Sequence, residues 1–216
     1  GIRWIRILYC YPEEITEELI QTMKEEPKIC HYLDLPIQHA SDGILKRMGR
    51  RTSKEELVHI ISRLREEIPD ITLRTTLITG FPGETQEQHE ELMDFVDEME
   101  FDRLGVFTYS PEEGTPAASM PDQIEESIKE DRRAELMELQ QEIAFEQAEN
   151  MIGKEVLVMI EGKVADENAY VGRTYKDAPN VDGLIFVNTD AELMSGDFAK
   201  VKVTGACEYD LIGELM

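Results

Sequence analysis

The sequence predicts an α/β domain followed by a small antiparallel β-barrel. Over residues 1–110, apolar strand patterns alternate with helix patterns, which is typical of parallel βαβ units. A long charged helix is predicted over residues 121–150, and its inner stripe is expected to hold Ile124, Ile128, Leu136, Leu139 and Ile143. After Gly153 the pattern changes to about five short strands between turns, which is typical of an OB-like barrel. We therefore predict two domains, residues 1–150 and residues 151–216.

The α/β part is predicted to contain four strands with helices between them. Residues 1–9 are typical of a buried strand, and a natural N-terminus rarely starts inside a strand, so we expect the chain to be a fragment. Pro36 is expected to end or bulge the second strand, because proline cannot donate to a ladder. A helix is predicted over residues 12–26, further strands over 32–38, 72–80 and 103–110, and two helix starts at the capping boxes Ser53-x-x-Glu56 and Thr85-x-x-Gln88.

Composition narrows the class of protein. No apolar run approaches the roughly 20 residues that a membrane-spanning helix requires, and we expect a cytoplasmic protein. Cys10, Cys30 and Cys207 lie far apart, so they form no CxxC-type metal knuckle, and their odd number argues against a disulfide framework. Three small buried thiols are the simplest interpretation.

The chain is strongly acidic, with a formal net charge of −24. Residues 1–150 hold 16 Lys and Arg against 34 Asp and Glu, and residues 151–216 hold 6 against 12. Nucleic-acid binding relies on neutralising phosphates, which such a surface disfavours. The charge suits a basic protein partner, or it serves solubility alone.

The predicted third strand has one apolar and one partly polar face. A parallel strand covered by helices on both sides should be apolar on both. A barrel explains the difference, because its polar face lines an interior that binds ligands at the C-terminal mouth. The alternative is that Arg74 and Asp34 form a buried structural ion pair. The apolar face carries Leu73, Thr75 and Leu77, and the other carries Arg74, Thr76, Ile78 and Gly80; Tyr32, Asp34 and Gln38 form the partly polar face of the second strand.

Polar groups follow two of the predicted strands. Residues 38–42 follow the second strand, and residues 80–84 follow the third and lead into a helix N-terminus, where backbone N–H groups are available. The second segment lacks the GxxxxGK[ST] pattern of a phosphate loop, and a tight turn alone also explains its glycines. A hydrolase triad around His39 finds no GxSxG elbow.

Four long motifs occur in order along the α/β part: WIRILYCYP at 4–12, YLDLPIQHAS at 32–41, RTTLITGFPGET at 74–85 and FTYSPEEGT at 107–115. Together they resemble the radical S-adenosylmethionine (SAM) methylthiotransferase family, and residues 151–216 look like that family's TRAM domain. The resemblance implies the later part of a partial (β/α)6 radical SAM barrel, followed by a TRAM barrel, with SAM bound at the C-terminal mouth.

Two branches of the family compete. One modifies an adenosine near the anticodon of transfer RNA, and the other adds a methylthio group to the β-carbon of an aspartate on a small-subunit ribosomal protein. Residues 109–115, 177–183 and 209–214 look like the second branch. The charge of the TRAM-like part supports the same branch. An RNA-binding TRAM domain should be basic, whereas residues 151–216 carry a net charge of −6, which suits a basic ribosomal protein.

The resemblance also implies two 4Fe-4S clusters in the parent protein. A cluster held by a CxxxCxxC motif would cleave SAM to a radical that takes hydrogen from the substrate carbon, and a second cluster would deliver the sulfur. None of those cysteines is in this chain. We therefore expect no catalytic residue and no metal ligand here, and no activity of the fragment alone. A non-catalytic acidic module that docks a basic protein is the alternative from a different class.

Nine residues match positions that the family places near SAM. Arg74 is suited to the SAM carboxylate, because a guanidinium forms paired hydrogen bonds with carboxylates. The alternatives are that Arg74 pairs only with Asp34 and that Ile78 and Phe107 are plain core residues. The nine are Gln38 and Ser41 for the ribose or methionine part, Arg74 for the carboxylate, Thr76, Ile78 and Gly80 behind the adenine with Glu84 just beyond, and Phe107 and Tyr109 beside it.

Overall fold

The computed structural model describes residues 1–216 and divides into two compact units, Ile7–Gln141 and Gly1–Arg6 with Glu142–Met216. None of its helices is both long and apolar enough to cross a membrane. Before the barrel the elements are β1 (Ile5–Ile7), α1 (Glu17–Glu25), β2 (Ile29–Asp34), α2 (Asp42–Arg47), α3 (Lys54–Glu67), β3 (Thr72–Thr79), α4 (Gln86–Met99), β4 (Arg103–Thr108) and α5 (Glu126–Glu149), with single 3-10 turns at Pro12–Glu14 and Ala117–Ser119.

A four-stranded sheet in the order β1-β2-β3-β4 organises the α/β part. The β2–β3 and β3–β4 pairs are parallel, which confirms the predicted βαβ units. Their register places Asp34 beside Arg74 and Ile78 beside Phe107. Neighbouring strands therefore present side chains of the same face at the same height of the sheet.

Capping chemistry sets where the helices begin. In the capping box of α3, Glu56 N donates to Ser53 Oγ (3.3 Å) and Ser53 N donates to Glu56 Oε2 (2.7 Å). The capping box of α4 is also present. The first helix begins later than predicted, at Glu17, because Thr16 is extended and accepts a hydrogen bond from Leu19 N (3.2 Å).

The faces of β3 follow the predicted alternation. Leu73 and Leu77 are fully buried, whereas Thr76 on the opposite face is half-buried. β2 differs from the prediction because it is buried on both faces: Tyr32 is fully buried, and Asp34 is 2% exposed. The strand also ends at Asp34, before the proline that was expected to end it.

The predicted inner stripe of the long helix is only partly correct. Leu136 is fully buried, but Ile128 is 41% exposed, so its assignment to the stripe was wrong. The buried face of α5 instead includes Lys129 and Arg132. Their stems fill space while their charged ends make hydrogen bonds: Lys129 Nζ, for example, donates to the carbonyl oxygen of Tyr109 at 2.9 Å.

The C-terminal strands close into a barrel in the order β5-β6-β7-β9-β8. Four of its strand pairs are antiparallel as predicted, but β7 and β9 run parallel. The reason is geometric: directions cannot alternate around a closed ring with an odd number of strands. Val158, Val187 and Val201 lie in its fully buried core. The strands are β5 (Glu155–Lys163), β6 (Ala169–Arg173), β7 (Ile185–Asn188), β8 (Phe198–Cys207) and β9 (Asp210–Leu215).

Candidate ligand site

Two adjoining cavities, here called the mouth cavities, lie along the half-buried face of β3 and β4. Their volumes are about 340 and 420 Å³, each within the range of small-molecule sites. Both are lined by Gln38, Arg50, Thr76 and Phe107. Six of the nine residues predicted near SAM line one or both: Gln38, Arg74, Thr76, Ile78, Phe107 and Tyr109.

Ile78 and Phe107 form the apolar part of the lining. They are register partners on β3 and β4. Phe107 is 61% exposed, which argues against its being a plain core residue, while Ile78 packs partly against the buried cluster of Ile44, Phe81 and Tyr109. A flat apolar wall of this kind suits an aromatic base.

Gln38 is held at the rim by the backbone of β3. Its N–H donates to the Thr76 carbonyl (3.0 Å), and its own carbonyl accepts from Ile78 N (2.8 Å). Gln38 has a φ of +72°, in the left-handed region, and such a conformation in a non-glycine residue costs on the order of 1–3 kcal/mol. The strain is tolerated because hydrogen bonds fix the backbone on both sides.

The sequence left open whether Arg74 faces a ligand site or pairs with Asp34, and in the structure it does both. Its side chain lines the smaller cavity, and its Nη1 lies 3.2 Å from Asp34 Oδ1. Asp34 is buried, so the pair is a true interior ion pair. The carboxylate of Asp34 therefore offsets part of the positive charge that Arg74 presents to the cavity.

Tyr109 contributes a buried hydroxyl to the larger cavity. Its ring packs edge-to-face on Phe81, with ring centroids 5.2 Å apart, and the residue is 9% exposed. The Tyr109 Oη has no hydrogen-bond partner in the protein. Because a buried hydroxyl without a partner is costly, a polar ligand atom in the cavity would stabilise it.

Ser41, Gly80 and Glu84 do not line either cavity. Ser41 is buried and precedes α2; its N–H donates to His39 Nδ1 (2.9 Å). Gly80 follows β3 at a φ of +69°, and its N–H donates to the Glu84 carboxylate. These contacts fix the loops that follow β2 and β3.

Glu84 lies at the centre of a buried charged cluster. Its carboxylate oxygens lie 3.5 Å from Arg132 Nη1, 3.6 Å from His39 Nε2 and 3.9 Å from His89 Nδ1. The side chain of Glu84 is fully buried. The cluster links the loops after β2 and β3 to α4 and α5, so it fixes the positions of both loops.

Sequence reasoning missed several residues of the lining. Arg50 is the main one. The sequence feature that could have indicated its position is Gly49, because a glycine there is typical of a helix end. Cys10 lines the smaller cavity, and burial, together with the nearby Glu14 carboxylate, raises the pKa of its thiol. The other missed lining residues are Tyr9, Tyr11, Pro36, Met48, Phe81, Thr108 and Ser110.

The cavities fit a ligand such as SAM, whereas the cysteines do not fit an iron–sulfur cluster. An apolar wall, a buried hydroxyl and two guanidiniums suit a ligand that combines an aromatic base with a carboxylate, as SAM does. The three cysteines do not gather into a cluster site. The expectation of three buried thiols was also wrong, because Cys10 is half-buried and Cys207 is exposed. The structure contains no group of three or more His, Cys, Asp or Glu side chains arranged to hold a metal ion.

Comparison with known proteins adds to this geometry. The radical SAM superfamily model matches residues 1–96, and the TRAM domain model matches residues 152–216. Proteins named "Ribosomal protein uS12 methylthiotransferase RimO" are 67% identical over 213 residues in Lachnoclostridium phytofermentans, 52% over 216 in Desulfitobacterium hafniense and 50% over 217 in Geobacter sulfurreducens. These alignments cover 99–100% of this chain, which spans about half (48%) of the length of each relative.

Proposed function

Because the chain belongs to the radical SAM methylthiotransferase family and carries the TRAM domain, we propose that it is part of an enzyme that methylthiolates the β-carbon of an aspartate on a basic ribosomal protein. The relatives named above support ribosomal protein uS12 as the substrate. The structural observation that carries the proposal is the presence of six predicted SAM-site residues in the mouth cavities.

In this proposal the mouth cavities bind SAM. Ile78 and Phe107 flank the adenine, and Gln38 and the buried Tyr109 hydroxyl form hydrogen bonds with its polar groups. Ser41, Gly80 and Glu84 fix the loops that follow β2 and β3 and do not touch SAM. When bound, SAM supplies the hydrogen-abstracting radical and, from another molecule, the methyl group.

The proposal assigns both 4Fe-4S clusters to parts of the enzyme outside this chain. The three cysteines of the chain do not fit a cluster, so the chain alone is expected to be inactive. Its own role is to bind SAM along β3 and β4 and to hold the substrate protein.

The substrate protein is proposed to dock on acidic loops of the barrel. The turn after β5 and the loop after β7 are joined by a hydrogen bond from Asn168 Nδ2 to Asp190 Oδ1 at 2.8 Å. Exposed carboxylates crowd there, on Asp166, Glu167, Asp190 and Glu192. A cluster of this sign attracts a basic protein and repels RNA.

Activity of the full-length protein tests the chemistry. After anaerobic reconstitution with iron and sulfide, we expect formation of 5′-deoxyadenosine and the mass gain of one methylthio group on a single aspartate of a basic ribosomal peptide. Modification of a transfer-RNA anticodon stem-loop instead would favour the other branch of the family. Cluster incorporation without SAM cleavage would favour the non-catalytic docking module.

A charge-matched pair of variants tests the docking surface. Asp190→Asn with Glu192→Gln should weaken peptide binding severalfold, with the largest effect at low salt. Asp97→Asn with Glu98→Gln removes the same charge from exposed positions on α4 and should change binding little. Equal weakening by both pairs would mean that only the net charge matters.

A further inference from the structure

Lys129 is a buried lysine on the inner face of α5 that does not line either mouth cavity. Its side chain is 5% exposed, and its Nζ donates to the carbonyl oxygen of Tyr109 (2.9 Å) and to Glu126 Oε2 (3.0 Å). Burying an ammonium group is costly even when it is hydrogen-bonded. An apolar side chain would fill the same space without that cost, so the role of Lys129 depends on the groups that its Nζ contacts.

Three buried polar side chains of α5 donate to backbone carbonyl groups of the α/β part. Arg132 and Gln140 donate to residues that do not line a mouth cavity, over distances of 3.1 and 2.8 Å. Lys129 differs from both, because its acceptor is Tyr109, which lines the larger cavity. Lys129 therefore joins α5 to the proposed ligand site.

Tyr109 is fixed both at its backbone and at its ring. Its N–H donates to Thr79 O of β3 (2.8 Å), and its carbonyl oxygen accepts from Lys129 Nζ. The ring lies edge-to-face on Phe81, and Lys129 Nζ lies 5.5 Å from the ring centre. The hydroxyl group is the polar group of Tyr109 that has no partner within the protein, so it remains for a ligand in the larger cavity.

The stem and the backbone of Lys129 are themselves constrained. Its Cγ packs closely against Gly80 at the end of β3, and its carbonyl oxygen accepts a hydrogen bond from Thr79 Oγ1 (3.2 Å). The stem cannot shift without moving the end of β3, because protein interiors are closely packed. The packing of α5 on β3 therefore sets the position of Nζ, and Nζ in turn sets the position of the Tyr109 carbonyl group.

We propose that Lys129 is a positioning residue that acts on ligand binding in the larger mouth cavity through Tyr109. The inference rests on the proposed function, in which the Tyr109 hydroxyl forms a hydrogen bond with a polar group of SAM. Lys129 does not touch SAM. It holds the carbonyl group and the ring of Tyr109, so that the hydroxyl is in place before the ligand arrives, and such preorganisation lowers the free-energy cost of binding.

A double-mutant cycle in the full-length protein tests this role, with the dissociation constant of SAM as the measured quantity. Lys129→Met removes the ammonium group and keeps an unbranched stem, whereas Tyr109→Phe removes the hydroxyl and keeps the ring. The double variant completes the cycle. Lys24→Met is the matched control, because the side chain of Lys24 is 47% exposed and pairs with Glu67. Urea unfolding midpoints verify that each variant is folded.

Loss of one hydrogen bond to SAM corresponds to about fivefold weaker binding, which we expect for Tyr109→Phe. Lys129→Met should weaken SAM by about threefold or more, but no further than Tyr109→Phe does. The double variant should bind SAM as Tyr109→Phe does, because the position of Tyr109 no longer matters once its hydroxyl is gone. Lys24→Met should leave SAM binding within about twofold of the wild type.

Lys129→Gln is the second variant of the cycle and replaces Lys129→Met should the latter fail to fold. Glutamine retains a polar end in the buried site, but its side chain is shorter and does not reach the Tyr109 carbonyl oxygen. We expect Lys129→Gln to weaken SAM binding in the wild-type background and to have no effect in the Tyr109→Phe background.

Three results would overturn the positioning role. The first is unchanged SAM binding in a folded Lys129 variant. The second is multiplication of the two single effects in the double variant, since that pattern indicates that Lys129 acts independently of the Tyr109 hydroxyl. The third is weaker binding in a Lys129 variant while Tyr109→Phe binds normally. A wild-type protein that does not bind SAM would contradict the proposed function as well, whereas wild-type binding without coupling contradicts this inference alone.

Discussion

Gly80, at the end of β3, lies so close to Lys129 of α5 that a Cβ added to Gly80 would be 2.2 Å from Lys129 Cγ. Gly80 also has a φ of +69°. The helix and the strand end can approach this closely only because the residue between them has no side chain. The contact joins the end of β3 to α5.

Gly80→Ala should be strongly destabilising. A non-glycine residue in the left-handed region costs about 1–2 kcal/mol, and the clash with Lys129 adds to it, so we expect a loss of about 3 kcal/mol in urea unfolding. Gly114→Ala is the control, because Gly114 has a φ of +82° with open space around it. Equal losses at the two positions would show that the close contact has no energetic weight.

Glu84→Gln should destabilise the chain far more than removal of an exposed carboxylate. Arg132 would lose its buried partner, and breaking a buried ion pair costs about 3–5 kcal/mol. Glu126→Gln is the control: Glu126 lies 3.0 Å from Lys129 Nζ, but its side chain is 67% exposed, and such pairs contribute about 0–1 kcal/mol. A small effect of Glu84→Gln on the urea unfolding midpoint would contradict a stabilising role for the Glu84–Arg132 pair.

Cys10 should be protected from alkylation by SAM. Its thiol lines the smaller mouth cavity, and burial followed by the Glu14 charge raises its pKa, so reaction with iodoacetamide should need a higher pH than for an ordinary thiol. Mass spectrometry of each cysteine, with and without SAM, measures the protection. Cys207 is the internal control, since it is exposed and lies outside the cavity lining. Equal labelling of Cys10 with and without SAM would argue against binding at this site.

The capping box of α3 should be visible in a pH titration. Hydrogen bonds from the Ser53 backbone and then the Ser53 hydroxyl lower the pKa of Glu56. A carboxyl group whose pKa is lower in the folded state stabilises the fold above its unfolded pKa, about 4.3, and this contribution is lost as the pH falls through the folded pKa. Ser53→Ala removes the hydroxyl bond to the Glu56 carboxylate and the bond that Ser53 Oγ accepts from Glu56 N, but it keeps the bond from the Ser53 backbone N–H. NMR should therefore show a higher Glu56 pKa than in the wild type. An unchanged Glu56 titration would contradict the hydroxyl contribution.

Trp4 fluorescence should report on the packing of the N-terminal segment on the barrel. Trp4 is the single tryptophan, and its ring lies edge-to-face on Phe198 with centroids 4.9 Å apart. Phe198→Leu should shift the emission to longer wavelength because water reaches the indole. Phe145→Leu removes a ring that instead contacts Tyr209 and should leave the emission unchanged. Identical spectra for both variants would exclude the Trp4–Phe198 contact in solution.

Local patterns in the sequence were enough for much of the fold. The capping boxes at Ser53 and Thr85 and the apolar alternation along β3 depend on neighbouring residues, so they are readable without tertiary structure. The same alternation placed Arg74, Thr76 and Ile78 on one face. Their convergence with Phe107 followed from parallel pairing, which the βαβ pattern predicts.

Other features depended on contacts between distant segments. The parallel β7–β9 pair follows from closure of five strands, which no single strand pattern contains. The interior of α5 could not be read from hydropathy, because Lys129 and Arg132 are buried where Ile128 was expected to be.

The sequence by itself predicted the family, the order of most strands and helices, and six of the residues that line the cavities, because motifs and periodicity are local properties. Only the tertiary structure decided which charged groups neutralise each other. Arg74 faces Asp34 across β2 and β3, while Arg50 faces a carbonyl and a ring. Charge compensation depends on distances of a few ångströms between segments far apart in sequence, and those distances exist only once the chain is folded.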